Sequence, residues 1–449
     1  MAIKRIVQVG IILFYTSACW GNTPAGPLSS FPVGKIIDSV ICQADPSQSY
    51  ALYIPAKGNT EALPVLYFFD PHADGALPLN KYKSLADAYG YILVGSNNSK
   101  NGNDWSTTEN IWLRLSGDTK SRLKISSDRI YTVGFSGGAK VASYVALNHP
   151  GVSGVIAGGA GLPDETPAGD FNFTFTAIAG RGDMNMTDLV AISRELDKTR
   201  TRHRIILFDG KHEWAPVGTM NLAFSGLQFD AMGKGLLPKD KAFISHYTTA
   251  SIKRLDLYTQ TNQLIRAEQE CQLSIRLLDG LTDEVHWFKE RAAKLEGNPL
   301  YQKQRQAEEN LLATEQNTKA GYAQHFQQVD MPYWKMTIAG LRAAASAKTD
   351  EGAMYQRLLA YLSLAFYSLS NRFINSNENQ GARYFIGLYK LADPTNSEAW
   401  YFSAILNARD GQTKAAEDDL QKAVHYGFRD RRRMNQQPEF KNLSIRISF

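Results

Sequence analysis

Cysteine is nearly absent from this chain: three in 449 residues. Only Cys42 and Cys271 lie in its body, too few for a disulfide framework, so an ordinary apolar core must hold the fold. Charge of one sign is scarce as well. The 49 Lys and Arg against 44 Asp and Glu leave a net charge of +5. The densest basic group, Arg429 with Arg431, Arg432 and Arg433, reads as a solvated helix end near the C-terminus. Nucleic acid is therefore not an expected partner. Beyond the first residues no segment is apolar enough to span a bilayer.

The first 22 residues stand apart. Lys4 and Arg5 precede an apolar run over 6–15, and Thr16, Ser17 and Ala18 follow. This is the three-part pattern of an export signal, too short to be a membrane span. Cys19 comes directly after, at a site that resembles a bacterial lipobox with Thr16 where Leu is usual. Two fates follow: lipidation at Cys19 with membrane attachment, or cleavage and release. Both place the chain outside the cytoplasm, in the periplasm, on the outer membrane or in the medium.

What remains is long enough for about three units. Residues 30–238 alternate strand-like and helix-like runs, so they read as a mostly parallel sheet with helices on both faces. The run over 63–69, Leu-Pro-Val-Leu-Tyr-Phe-Phe, is fit for a strand buried on both faces. Sheets of this class carry their working residues in loops at the carboxyl ends of the strands. That rule nominates loops 70–75, 96–110 (polar, with Trp105 in its middle), 134–138, 180–186 and 209–214. Residues 239–345 are polar and helix-favouring, with breaks at Gly280 and at Gly297-Asn298-Pro299. In 346–449, Trp400, Ala416, Leu420 and Ala423 sit at tetratricopeptide spacing, with Gly411 at a turn. An offset of 34 residues returns Phe366, Ala382, Ile386 and Tyr389, and Pro394 from Phe428. Two such units over 363–396 and 397–430 are expected, capped by earlier helices because two alone bury too little. A protein partner on these helices would follow from that reading.

The chemistry concentrates at Gly134-Phe135-Ser136-Gly137-Gly138. An apolar β-branched run precedes it and a helical run over 139–147 follows, the context of a nucleophile elbow. A serine hydroxyl needs a base within hydrogen-bond reach, and the base needs an orienting acid. On such a sheet the chain order is Ser, then acid, then His. His212, just after the last strand, and Asp183, just after the strand before it, satisfy that order. Asp209 and Glu213 are rival acids, each too close to His212 in sequence to turn easily onto its ring. The oxyanion of the intermediate needs two donors. Gly137 supplies one backbone N–H. Pro71 has none, so the backbone of His72 is expected to supply the second.

On Tyr50-Ala51-Leu52-Tyr53-Ile54-Pro55, the 68–75 loop, Gly134–Gly138, Gly182-Asp183 and 210–214, residues 35–235 resemble the α/β-hydrolase superfamily. They are most similar to secreted esterases grouped with polyhydroxybutyrate depolymerases, feruloyl esterases and dienelactone hydrolases. The resemblance implies carboxylic-ester hydrolysis of a small or polymeric substrate, with no metal and no organic cofactor. Relatives usually carry His-Gly where this chain has Asp70-Pro71, a departure in the oxyanion loop. Two alternatives stand beside esterase action. One is a peptidase on the same fold, which needs a site for a free N-terminus or a propeller; neither is visible. The other is an inactive hydrolase fold that serves, with the helices, as a binding protein.

Overall fold

The computed structural model describes residues 31–56 and 62–441. The export signal and Cys19 lie outside the described residues.

Eight strands form one sheet: β1 (Ile36–Ile41), β2 (Ser49–Tyr53), β3 (Leu63–Phe69), β4 (Ile92–Ser96), β5 (Ile125–Phe135), β6 (Val152–Gly158), β7 (Thr174–Gly180) and β8 (His203–Phe208). Their spatial order is β1-β2-β4-β3-β5-β6-β7-β8. β2 runs antiparallel to β1 and β4, and all pairs from β4 onward are parallel. Helices α1 (Ala76–Tyr89), α2 (Trp105–Arg122), α3 (Gly137–Asn148), α4 (Met186–Leu196) and α5 (Val217–Gly233) connect or follow these strands. This is the α/β-hydrolase arrangement.

Alternation along β3 shows why the sheet is covered on both faces. Leu66 and Phe68 enter one apolar cluster with α1 and α5. Val65, Tyr67 and Phe69 enter the other with α2, α3 and α4. Successive side chains of a strand point to opposite faces, so a continuous apolar run must be buried twice. The loop expected over 96–110 ends early, because α2 begins at Trp105. Asp104 caps it by accepting from the Thr107 N–H at 2.6 Å. The loop after β4 is thus shortened to 97–104, and Trp105 stacks on Tyr144 at 4.6 Å.

Helices α6 (Lys241–Gln260), α7 (Leu264–Leu278), α8 (Val285–Glu296), α9 (Pro299–His325), α10 (Met331–Ala344), α11 (Asp350–Asn375), α12 (Asn379–Ala392), α13 (Ser397–Arg409), α14 (Thr413–His425) and α15 (Arg431–Gln436) make the rest. Gly280, at φ +73°, separates α7 from α8, and Asn298-Pro299 starts α9. The secondary structure changes character near residue 238, but the core does not. Phe224 and Phe229 of α5 share one apolar cluster with Leu255, Leu264, Cys271, Leu277, Phe288 and Tyr301. A separate cluster begins at Tyr322 and runs to Phe440. Phe366, Ala382, Ile386, Tyr389, Leu420 and Ala423 belong to it, and Ala416 is buried as well. Trp400 differs: it is only partly buried, and Lys390 and Lys422 lie over its ring at 4.0 and 4.4 Å.

Candidate active site

β5 delivers Phe135 into the core and then reverses sharply into α3 at Ser136. Ser136 has φ +53° and ψ −125°, a backbone conformation costly for a residue with a side chain. The turn is so tight that a methyl group on Gly134 would meet the Gly138 carbonyl. One on Gly138 would meet the Phe69 carbonyl of β3. The glycines flanking Ser136 are required by these backbone approaches. Ser136 N–H donates to the Gly158 oxygen at 2.8 Å, which fixes the turn to β6. Gly137 then opens α3, so its N–H faces outward at a helix N-terminus, where the dipole favours negative charge.

Three side chains from three strand ends meet above this turn. His212 Nε2 lies 3.0 Å from Ser136 Oγ, and His212 Nδ1 lies 2.9 Å from Asp183 Oδ1. Asp183 is 1% exposed and also accepts from the Asn185 N–H at 2.9 Å. The loops carrying Asp183 and His212 are zipped together by main chain: Arg181 N–H to Phe208 O and Gly182 N–H to Gly210 O, both 2.8 Å. The His212 ring packs on Phe135 at 4.6 Å. Sequence reasoning passed over Gly159, at the end of β6. With φ +64°, it sits beneath the ring. A methyl group there would come within 3.0 Å of His212 Cε1 and 3.1 Å of Asp183 Oδ2. A glycine pair at a strand's carboxyl end was the available signal.

The rival acids point elsewhere. Asp209 is taken by Arg266, and Glu213 accepts from the Lys211 N–H at 3.2 Å. Among the other histidines, His149 meets Glu109 and His203 meets Asp197, each at 3.1 Å.

The expectation for His72 needs correction. Its backbone N–H donates to Asp70 Oδ1 at 2.8 Å, and the next N–H, of Ala73, donates to the Asp70 carbonyl at 3.2 Å. Asp70 is buried, and Trp214 Nε1 donates to its Oδ2 at 2.9 Å. Burial pushes the Asp70 carboxyl up, but hydrogen bonds from His72 and Trp214 outweigh it and hold it below the usual range. The contact of His72 Nδ1 with the Asp70 carboxylate, at 3.6 Å, together with its charge, raises the His72 imidazole. Pro71 has no N–H, and those of His72 and Ala73 are both engaged, so residues 71–73 offer no free backbone donor.

Asn101 approaches the turn from the other side. The loop after β4 is joined to the 70–75 loop by the Asn101 N–H, which donates to Pro71 O at 2.9 Å, and by a bridge between His72 and Lys100. This sets the Asn101 carboxamide directly over Gly137. A methyl group on Gly137 would collide with the amide oxygen and stand 3.6 Å from Nδ2. The carboxamide has no hydrogen-bond partner among the described residues. The asparagine-rich composition of the loop was the only trace of it in the sequence. Among the described residues, no group of three or more His, Cys, Asp or Glu side chains is placed to hold a metal ion.

No family model matches the chain, and no curated protein matches it. Solved structures do. An esterase from Pyrobaculum calidifontis aligns at 12% identity and a TM-score of 0.36, over 45% of this chain and 85% of its own. FphF, a fluorophosphonate-binding serine hydrolase of Staphylococcus aureus, aligns at 13% and 0.37, over 44% and 99%. A ferulic acid esterase aligns at 15% and 0.35, over 44% and 97%. Identities this low transfer no residue role.

Proposed function

We propose that the chain is a serine hydrolase of carboxylic esters. The observation that supports it is the Ser136–His212–Asp183 contact chain at 3.0 and 2.9 Å, set over a strained turn at a helix N-terminus. In this reading His212 Nε2 takes the Ser136 proton as Oγ attacks the ester carbonyl. Asp183 fixes the tautomer with hydrogen on Nδ1 and stabilises the charged ring. His212 returns the proton to the leaving alcohol. Water, deprotonated by His212, then attacks the acyl-serine and frees the acid. The oxyanion is met by the Gly137 N–H and by the Asn101 carboxamide. A half-turn of that amide about χ2, a broad torsion, exchanges oxygen for the Nδ2 donor. A side-chain amide in this role contributes about 10²–10³-fold to turnover.

Ser136→Ala tests the reading. Turnover of short acyl esters should fall at least about 10³-fold with the unfolding midpoint retained. A fluorophosphonate should label the wild type at Ser136. Wild-type turnover in the variant, or no labelling of the wild type, would overturn it. One observation favours a second reading, an inactive fold used for binding: the engagement of the His72 N–H by Asp70. The same labelling experiment separates the two.

A further inference from the structure

We propose that a buried charge cluster in the helical half, Glu315, Lys319 and Arg357, is a positioning device for Asp183, so that the catalytic unit comprises both halves of the chain. This rests on the esterase reading above.

The carbonyls of Arg181 and Met184 flank Asp183 in sequence, and each is held by a cation from the helical half. Arg357, on α11 and 4% exposed, donates from Nη1 to the Arg181 oxygen at 2.6 Å. Lys319, on α9, donates from Nζ to the Met184 oxygen at 3.2 Å. Glu315, one turn before Lys319 and 1% exposed, holds both cations in place. Its Oε2 accepts from Arg357 Nε at 2.7 Å, and its Oε1 lies 2.7 Å from Lys319 Nζ. Gln356, beside Arg357, packs on Gly182 so closely that a methyl group there would come within 2.7 Å of its amide oxygen.

Three charges in a protein interior are weak evidence for stability, because desolvation offsets most of their attraction. Their placement has a different consequence. The loop that carries Asp183 is anchored in an apolar cluster only at its ends, by Ala179 and Met186. A carboxylate must stay within hydrogen-bond reach of the ring to hold its tautomer. Main-chain bonds to Phe208 and Gly210 tie one side of this loop, Asn185 Nδ2 donates to the Gly159 oxygen at 2.7 Å, and the two cations tie its outer carbonyls. Without the cations those carbonyls lose their partners, and Asp183 is free to shift. A displacement of about 1 Å at such a position costs about 10²-fold in rate. Arg357 and Lys319 touch no reacting atom, so they are positioning residues.

The test replaces the whole cluster in the full chain: Glu315→Leu, Lys319→Met and Arg357→Met together. Apolar replacement of a buried ionic triad is often neutral or stabilising, so the unfolding midpoint should hold. Amide exchange at Arg181, Gly182 and Met186 should rise about tenfold or more, reporting local loosening of the 180–186 loop. With short acyl esters kcat should fall about 10²-fold with KM nearly unchanged. Unchanged exchange in the 180–186 loop overturns the brace, whether or not the protein hydrolyses esters. So does a kcat within twofold of wild type. Loosened exchange in a protein whose wild type turns over no ester supports the brace and removes only the esterase reading. If the triple variant fails to fold, Lys319→Met alone carries the test. Lys319 is the most exposed of the three, and Glu315 keeps Arg357, so faster exchange at Met186 and a tenfold fall in kcat are expected. Their absence overturns the proposal.

Discussion

Asp209 turns its carboxylate onto Arg266 of α7, its two oxygens accepting from the guanidinium at 2.8 and 2.9 Å. This engages one of the two acids that neighbour His212 in sequence, and Asp183 is the carboxylate that meets the ring. Arg266, with its charge beside it, holds Asp209 below the usual carboxylate range, although burial pulls the other way. Asp183→Asn should therefore cost about 10³–10⁴-fold in kcat, because the amide favours the wrong histidine tautomer. Asp209→Asn should change kcat by less than about tenfold. Steady-state kinetics on the two variants check this, and a reversed order would mean that the acid is misassigned.

Asn101→Ala should lower kcat about 10²-fold and leave labelling of Ser136 by a fluorophosphonate detectable, since nucleophile and base remain. Asn101→Asp should be worse than Ala, because it sets a negative charge beside a developing oxyanion. Equal turnover in wild type and Asn101→Ala would return the second donor to the backbone.

The Asp70–His72 pair gives a titration with a definite sign. Asp70 raises His72, so His72 should titrate above the ordinary histidine value of about 6.5. Its contribution to stability is complete below that ordinary value and is lost as pH rises through the raised one. Asp70, held low, contributes above the ordinary carboxyl value and is lost as pH falls through its own. The pair therefore favours the folded state most between these limits. Following the His72 ring by NMR should show its pKa fall in Asp70→Asn. No movement would mean that the pair is not coupled.

The continuous core across residue 238 predicts the behaviour of fragments. A chain ending there would expose the face of α5 on which Phe229 packs against Phe243 and Tyr247, and would strip from its cluster Leu255, Leu264 and Leu277, which are fully or almost fully buried in the whole protein. Each exposed large apolar side chain costs about 1.5–3 kcal/mol, and a few of these exceed the stability of an ordinary domain. The fragment 31–238 should be aggregated or lack a cooperative melting transition, as differential scanning calorimetry would show. A cooperative transition near that of the full chain would refute the shared core.

The local pattern of the chain determined much of this molecule. The apolar run over 63–69 demanded a strand buried on two faces, and Phe68 and Phe69 do enter opposite clusters. The glycines around Ser136 announced a turn, because only a backbone without side chains fits between β3 and α3. Ser136, Asp183 and His212 were legible because each lies just after a strand of a parallel sheet, where such strands end at one edge. Tertiary structure decided the rest. Asp70 holds the His72 N–H locally, but its second carboxylate oxygen is met by Trp214, 144 residues away. Asn101 reached Gly137 through a pairing of two loops that no spacing encodes. The grip of Arg357 on Arg181 spans 176 residues. Such contacts have no periodicity, since they depend on how whole elements dock. The sequence therefore carries their residue types but not their partners.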